Sequence, residues 1–373
     1  MIPVKGNIQK GLLFTVFAIA IVVVYASSGL QQITCPVAEK SSVWSIDSSN
    51  VSAQILWQRE ERKPRTTISV GSENSGVAAS QTHFMFWQDG ADSPSCTPQL
   101  YAFSASTGDE QWRFARDQFI TFHQVVSLTD GYALVVDQSV IKLDFEGRKI
   151  WENNGFPSRS TQMLYEADRI LYLPSNDKVY KLSSQTGKIT EVIPIKYPIA
   201  YFDKYAVVAN DEGSSLKVIS LAESGRTIST LGLFDVAPLQ QALPMLWPTT
   251  DRYKNTLIFY YNVYSPAPTH IDAYDLNTGK LVWRSTSDFY GLPIRVDDKL
   301  ILYNSHGLQI LDALNGQQLG WIKLSRTVNG VVDTIPQTHI WLAGYGNMIF
   351  INYRDTWDIV AIKLGLSQLD TSF

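Results

Sequence analysis

Two stretches decide the fold of this chain: LYAFSASTGDEQW at residues 100–112 and IDAYDLNTGKLVW at residues 271–283. Each predicts a strand of alternating character, a tight turn that ends in Thr-Gly, and a second strand that reaches a tryptophan. A chain that repeats one such unit builds its fold by packing the copies against each other. The repetition therefore predicts the architecture before any single residue is considered.

Weaker copies of the same phrase fill most of the remaining chain. The turn glycines lie 39, 40, 38, 54 and 37 residues apart, at Gly108, Gly147, Gly187, Gly225, Gly279 and Gly316. We interpret the one long interval as a unit that carries an insertion around residues 238–248. A period of about 40 residues with several strands per unit is typical of β-propellers. Because the apolar runs are short and lack helical periodicity after the N-terminus, the sequence predicts an all-β fold.

The two ends of the repeat region predict how the ring closes. The last copy, at residues 359–364, has neither a turn glycine nor a following tryptophan, whereas residues 54–59 look like an outer strand with no repeat before them. Pairing these two segments would remove the exposed sheet edges that favour aggregation. This composite unit brings the prediction to seven four-stranded blades, or eight if the insertion contains a further set of strands.

The spacing of small residues and tryptophan carries a family resemblance. Ala102, Gly108 and Trp112 have the same spacing as Ala273, Gly279 and Trp283. A ring at the end of the outer strand can cover the seam between blades, with the small residue and the glycine as its floor. This spacing resembles the tryptophan-docking motif of pyrroloquinoline-quinone-type (PQQ-like) β-propellers, over about residues 54–366.

That resemblance implies two kinds of function. The family includes quinoprotein dehydrogenases, which hold the quinone and Ca²⁺ at the ring centre, but those enzymes are longer and carry adjacent cysteines that this chain lacks. The family also includes non-catalytic members such as the propeller subunit of the outer-membrane barrel assembly machinery, which holds partner proteins with its loops. In size and expected export this chain is more similar to the second kind.

The N-terminus predicts export from the cytoplasm. Residues 11–30 carry no charge and follow Lys5 and Lys10, which is typical of a membrane span with its N-terminus inside. A cleaved signal peptide, cut near residues 26–28, is the alternative. We therefore divide the chain into a cytoplasmic N-terminus at 1–10, an anchor or signal peptide at 11–30, a linker at 31–53 and the propeller at 54–373. Cys35 and Cys96 suit an oxidising compartment and are candidates for a disulfide.

No convergent catalytic or metal-ligating set is visible in the sequence. The five histidines, at positions 83, 123, 270, 306 and 339, have no metal-ligand spacing. Turn aspartates are expected to accept hydrogen bonds from the amides of their own turns, at Asp144, Asp275 and Asp312. Acidic loops are candidates to line one mouth of the ring or to hold Ca²⁺, at residues 176–177, 210–212 and 297–298. We predict structural roles for these residues, and neither a catalytic site, nor a cofactor, nor a metal.

The leading hypothesis is a membrane-tethered, extracytoplasmic propeller that binds a protein partner or small ligand on one face and performs no chemistry. The net charge of −4 and the absence of a basic cluster argue against a nucleic-acid partner. The alternatives are a PQQ- and Ca²⁺-dependent dehydrogenase and a sensor ectodomain that recognises carbohydrate.

Overall fold

The computed structural model describes residues 42–59, 76–88, 99–115, 122–156, 164–175, 177–196, 198–209, 215–232, 249–261, 269–287, 289, 293–328, 330–333, 340–353 and 358–365. Within these ranges the chain forms thirty strands and no helix. The all-β prediction is confirmed.

The strands form seven antiparallel sheets, called blades 1 to 7 in chain order. The chain starts with β1 (Ser42–Ser49) and β2 (Ala53–Arg59). Blade 1 contains β3 (Gly76–Ala79), β4 (His83–Gln88), β5 (Gln99–Ser104) and β6 (Glu110–Ala115). Blade 2 contains β7 (Phe122–Leu128), β8 (Gly131–Val136), β9 (Ser139–Leu143) and β10 (Lys149–Asn154). Blade 3 contains β11 (Tyr165–Ala167), β12 (Ile170–Ser175), β13 (Lys178–Ser183) and β14 (Ile189–Pro194).

Blade 4 contains β15 (Pro198–Phe202), β16 (Tyr205–Ala209), β17 (Ser215–Ser220) and β18 (Arg226–Gly232). Blade 5 contains β19 (Thr249–Tyr253), β20 (Thr256–Tyr261), β21 (Thr269–Asp275) and β22 (Leu281–Ser287). Blade 6 contains β23 (Ile294–Val296), β24 (Lys299–Asn304), β25 (Gly307–Asp312), β26 (Gln318–Val328) and β27 (Val331–Asp333). Blade 7 contains β28 (Ile340–Tyr345), β29 (Met348–Tyr353) and β30 (Asp358–Leu364), with β2 as its outer strand.

The hydrophobic core lies in the seams between blades. Each of seven apolar clusters joins residues of two neighbouring blades, including blade 7 with blade 1. One cluster packs Leu216 and Leu231 of blade 4 against Leu257 and Tyr274 of blade 5. Because blades 4 and 5 touch directly, the insertion around residues 238–248 does not separate them with a further blade. The ring has seven blades, as predicted.

Tryptophans close four of the seams. A Cβ added to the turn glycine would meet the ring of the preceding blade's outer-strand tryptophan at 2.5–2.7 Å, in the pairs Gly108–Trp57, Gly147–Trp112, Gly187–Trp151 and Gly316–Trp283. The floor of each ring is therefore the glycine of the next blade, and not, as the sequence suggested, the glycine of its own repeat. The indole N–H of Trp57, for example, donates to the carbonyl of Ala105 at 3.0 Å. Burying one such ring contributes about 2–4 kcal/mol of stability.

A charged pair replaces the missing tryptophan of blade 3. Glu191 stands four residues after Gly187, where three other repeats have tryptophan. Its carboxylate accepts from Lys181 Nζ at 2.6 Å, and the same ammonium donates to the carbonyl of Ala222 in blade 4 at 3.4 Å. The pair thus contacts the next blade's turn, as the indole N–H of Trp57, Trp112 or Trp151 does in three other seams. Gly225, which no ring covers, has nothing within 4 Å of its added Cβ.

The ring closes as predicted through β2. This strand pairs antiparallel with β30, and Trp57 lies opposite Ala361. An N-terminal strand and the last described strand thereby share one sheet, which gives blade 7 its fourth strand.

The linker prediction for residues 31–53 is wrong over residues 42–49. These residues form β1, which pairs with β26 along its whole length and gives blade 6 an additional outer strand. Two apolar side chains of this serine-rich segment, Trp44 and Ile46, pack against the core between blades 6 and 7. The alternating pattern that buries them is too short and too polar to stand out in the sequence.

A buried polar cluster reinforces the same seam. Arg326 Nε donates to Asp358 Oδ2 at 2.9 Å, and Trp44 Nε1 donates to the same oxygen at 3.2 Å. The Arg326 guanidinium also lies 5.1 Å from the centre of the Tyr353 ring. Because β1 leads directly into β2, two consecutive strands join blades 6 and 7 with residues from both ends of the chain.

The two faces of the ring are built differently. The turns between the first and second strands and between the third and fourth strands lie on one face, where they hydrogen-bond to each other; Leu276 N, for example, donates to the carbonyl of Asn255. We call this the tight-turn face. We call the opposite face the long-loop face; there the second strand of a blade ends, the third begins and the fourth ends.

The tryptophan seams generate a stability test. We expect Gly187→Ala to lower the free energy of unfolding by about 2–4 kcal/mol, because its Cβ would lie 2.5 Å from the Trp151 ring and its φ is +68°. Gly225→Ala is the matched control, since its φ of +92° imposes backbone strain of about 1–2 kcal/mol without a ring to displace. Urea unfolding measures both. Equal losses in the two variants would contradict the role of the ring.

Candidate functional site

The ring axis is lined by the first strand of each blade, because these strands contact their counterparts in neighbouring blades. They enclose a cavity of about 680 Å³. We call it the axial cavity; it is lined by Ala78, Ala79, Gln124, Val125, Val126, Ser127, Leu164, Tyr165, Glu166, Phe202, Asp203, Lys254 and Arg295. Its volume falls in the range of small-molecule sites.

Four charged side chains line this cavity: the acids Glu166 and Asp203 and the bases Lys254 and Arg295. They come from four consecutive blades. Asp203 and Lys254 are themselves left-handed turn residues, with φ of 49° and 53°, at the tight-turn end of the first strands. Each is the first residue of the two-residue turn that follows its first strand, so the two side chains stand at one level of the axis.

Neighbouring groups fix the charged side chains. The Lys254 ammonium and the Arg295 guanidinium lie 5.1 Å and 5.6 Å from the centre of the Tyr253 ring. Glu166 accepts hydrogen bonds from the backbone N–H and the hydroxyl of Thr129 in blade 2, at 3.3 Å and 3.4 Å. Burial raises the pKa of Glu166, an effect that the Thr129 hydrogen bond opposes and the nearby Asp130 carboxylate reinforces.

The inner strands are tied together by side chains that reach a neighbouring backbone. Gln124 exchanges two hydrogen bonds with the backbone of Leu164, and Ser127 Oγ donates to the carbonyl of Ala79 at 3.0 Å. These polar groups of the cavity wall therefore hold blades 1, 2 and 3 together by hydrogen bonds.

The charged side chains of the axial cavity are two acids and two bases, so their charges balance. Among the described lining residues, two carboxylates and two cations suit a polar or zwitterionic ligand or a peptide segment, and none of these residues is a histidine or a cysteine. Across the described part of the chain, no group of three or more histidine, cysteine or acidic side chains is placed to hold a metal ion.

The predicted role of the turn aspartates is confirmed. Asp144 Oδ1 accepts from the amides of Glu146 and Arg148. Asp275 Oδ1 accepts from the amides of Asn277 and Thr278, and Asp312 Oδ1 from those of Leu314 and Asn315. The hydrogen bonds from the Thr278 amide and hydroxyl lower the pKa of Asp275.

The acidic loops do not converge on one mouth. Asp177 lies in the turn between β12 and β13, on the long-loop face, whereas Asp297 and Asp298 lie in the turn between β23 and β24, on the tight-turn face. Successive turns of an antiparallel blade alternate between its two ends, so these carboxylates cannot share an ion. Residues 176 and 210–212 lie outside the described residues.

The two histidines whose side chains are described occupy separate places. His83 is buried beside Trp112, and its Nδ1 lies 2.6 Å from the Tyr132 hydroxyl in blade 2. His306 lies in the turn between β24 and β25, against Trp321. The side chains of His123 and His270, and all of His339, lie outside the described part.

Sequence reasoning missed the charged lining of the axial cavity. The only regularity in this lining is one of position, since Glu166 and Arg295 each stand two residues before a turn aspartate, Asp168 or Asp297, but the two residues share neither type nor charge. The turn phrase with glycine and tryptophan, which dominates the sequence, lies on the outer strands and hence far from the axis.

We compared the sequence and the structure with known proteins. Residues 39–198 match the family model described as outer membrane protein assembly factor BamB. This match confirms the predicted resemblance of the chain to PQQ-like β-propellers. No curated protein sequence matches it.

A solved WD40 structure shares the architecture of this propeller. The Pan2 WD40 domain of Neurospora crassa superposes with a TM-score of 0.53 at 11% identity, over 83% of this chain and 95% of that one. BamB from Moraxella catarrhalis matches with a TM-score of 0.46 at 14% identity, over 88% of this chain and 100% of that one. At these identities the Pan2 likeness shows the fold alone.

Several sequence predictions lie outside the described residues. They are the anchor or signal peptide at 11–30, and both Cys35 and Cys96 with their proposed disulfide. In the ranges that the structure describes, no helix has the length and apolarity needed to cross a membrane.

His83 generates a pH test. Burial lowers its pKa below the ordinary value of 6.5, with the Glu146 carboxylate opposing the shift. The unfolded chain therefore takes up a proton at a higher pH than the folded chain, and the free energy of unfolding should fall as pH drops below about 6.5. Urea titrations between pH 7.5 and 5 should show a shallower decline for His83→Gln than for the wild type. Parallel declines would rule out a contribution from His83.

Proposed function

We propose that this chain is a non-catalytic binding module that holds a protein partner on the long-loop face of its propeller. The observation that carries the proposal is the asymmetry of the two faces. On the tight-turn face, the turn between the third and fourth strands hydrogen-bonds to the first turn of its own blade in blades 1, 3, 4, 5 and 6. The equivalent turns of blades 1, 2, 3 and 6 receive a tryptophan from the neighbouring blade. That face is committed to holding the ring together.

The long-loop face carries the connections that vary in length from blade to blade. Blade 2 turns from β8 to β9 with residues 137–138, whereas blade 1 uses residues 89–98 between the equivalent strands. Connections free of a structural duty can change without cost to the scaffold, which is why binding residues concentrate there. The family model agrees with this proposal, since its description names a protein assembly factor.

The proposal includes the location of the propeller. The uncharged segment at residues 11–30 supports a membrane tether or an export signal, with the propeller on the extracytoplasmic side. A tether would hold the ring near a membrane-bound partner and raise the partner's effective concentration.

Site-specific photo-crosslinking tests which face binds. Blades 2 and 3 offer matched exposed positions: Gln138 and Asp177 on the long-loop face, and Glu146 and Gln185 on the tight-turn face. With a benzoylphenylalanine probe at each position of the full chain in cells, we expect discrete crosslinked protein bands from Gln138 or Asp177 and none from Glu146 or Gln185. Bands of equal strength from both faces, or bands from the tight-turn face alone, would refute the proposal.

A second experiment tests the absence of chemistry. Purified protein is incubated with PQQ and Ca²⁺, and dye-linked oxidation of alcohols and sugars is followed beside an established quinoprotein dehydrogenase as the positive control. We expect neither a shift of the quinone absorbance nor dye reduction, because the adjacent cysteines of the enzymes are missing from this chain. Sustained turnover would establish the dehydrogenase instead.

A further inference from the structure

The outer strand of blade 6 places its tryptophan differently from the other blades. Trp112 and Trp283 each stand four residues after their turn glycine, but in blade 6 that position is Gly320, four residues after Gly316, and Trp321 follows one place later. Side chains alternate between the faces of a strand, so this single step turns the ring to the opposite face.

The step has a structural cause in the N-terminal crossing. A Cβ on Gly320 would lie 2.2 Å from the carbonyl oxygen of Ser49 and 3.0 Å from Val51. The chain that leads from β1 to β2 therefore runs where a tryptophan would stand. Ile322 points into the core between blades 6 and 7, and Trp321, its neighbour on β26, faces away from blade 7.

Trp321 lines a groove on this face. The groove has a volume of about 920 Å³ and lies between β1, β26 and the turn from β24 to β25. We call it the blade-6 groove. The rings of Trp321 and His306 meet edge to face, with their centres 6.0 Å apart and an angle of 68° between their planes. Together they form an aromatic corner at the edge of the long-loop face.

Polar side chains of both signs surround the aromatic corner. Asp47 of β1 lies opposite Lys323 of β26, and Ser49 lies opposite Trp321, all on one face of the paired strands. Ser305 Oγ lies 3.1 Å from His306 Nδ1 and adds a further hydroxyl. The groove thus combines an indole face with a carboxylate, an ammonium group and hydroxyls, and its charged side chains cancel.

We propose that the blade-6 groove binds a neutral oligosaccharide. A pyranose ring has an apolar face of C–H bonds that packs on the electron-rich face of an indole, and a rim of hydroxyls that both donate and accept. Asp47 accepts from such hydroxyls, Lys323 donates to them, and the serines do either. A phosphate or sulfate group would meet the Asp47 carboxylate, so the charge balance favours an uncharged ligand.

The volume fits a short oligosaccharide. Ligand sites of about 300–1,000 Å³ accommodate drug-sized molecules, and two to three sugar rings are of that size. The site is separate from the axial cavity and shares none of its residues. Its failure would therefore leave the protein-binding proposal for the long-loop face as a whole untouched.

The test is a glycan array followed by calorimetry with free maltotriose, cellotriose, chitotriose and lacto-N-tetraose. We expect binding to at least one neutral probe, no preference for sialylated or sulfated forms, and a loss of at least about tenfold in affinity for Trp321→Ala. Trp321→Phe should keep part of the binding. Tyr345→Ala, which removes an aromatic side chain that is 41% exposed in blade 7, is the control and should leave binding unchanged.

The exposed Asp47→Ala variant guards against a folding artefact. It leaves the aromatic corner in place and should weaken binding while the thermal unfolding midpoint stays at the wild-type value. The proposal is overturned if no neutral probe binds, if only anionic glycans bind, or if Trp321→Ala and Tyr345→Ala lose binding equally.

Discussion

The contact between an outer-strand ring and the turn glycine of the next blade is the interaction on which this propeller depends. It requires two residues about 35–50 positions apart, a glycine without Cβ and a tryptophan above it, as in Gly187 and Trp151. In three of the four tryptophan seams the same contact satisfies the indole N–H, because the turn presents a carbonyl within reach, as the Ser184 carbonyl does at 3.1 Å. Apolar burial and a directional hydrogen bond therefore fix the same angle between blades, which a ring of seven sheets must keep at every seam.

Seams without the ring show how far the constraint can be relaxed. Between blades 3 and 4 an ion pair reaches the equivalent carbonyl, and between blades 4 and 5 the turn glycine Gly279 approaches the backbone of Thr230 directly. Between blades 6 and 7 the N-terminal crossing occupies the site, and a buried Arg326–Asp358 pair supports it. These solutions differ in chemistry but keep the neighbouring sheets in contact, as the continuous apolar clusters require.

Most of the architecture could be predicted from the sequence because each blade corresponds to one copy of a sequence repeat. The glycine and tryptophan spacing indicated the blades, and the orphan segment around Trp57 indicated the closure. Three features could not be predicted in this way. The strand β1 is not part of any copy of the repeat. It is held by contacts with Arg326 and Asp358, which lie near the other end of the sequence. The glycine beneath each tryptophan belongs to the next copy of the repeat and not to the tryptophan's own copy. The charged residues of the axial cavity lie on short inner strands that share no residue pattern.

The pairing of β2 with β30 has a consequence for how the molecule is made. Trp44 and Asp358, which meet across the same closure, are 314 positions apart. The ring therefore cannot close until β30 has been synthesised, and β2 and the outer edge of blade 7 stay unpaired until then. Contacts of such long range are slow to form, and the waiting edges are open to misassembly. Chaperones that shield nascent strands would matter more for this chain than its finished stability suggests.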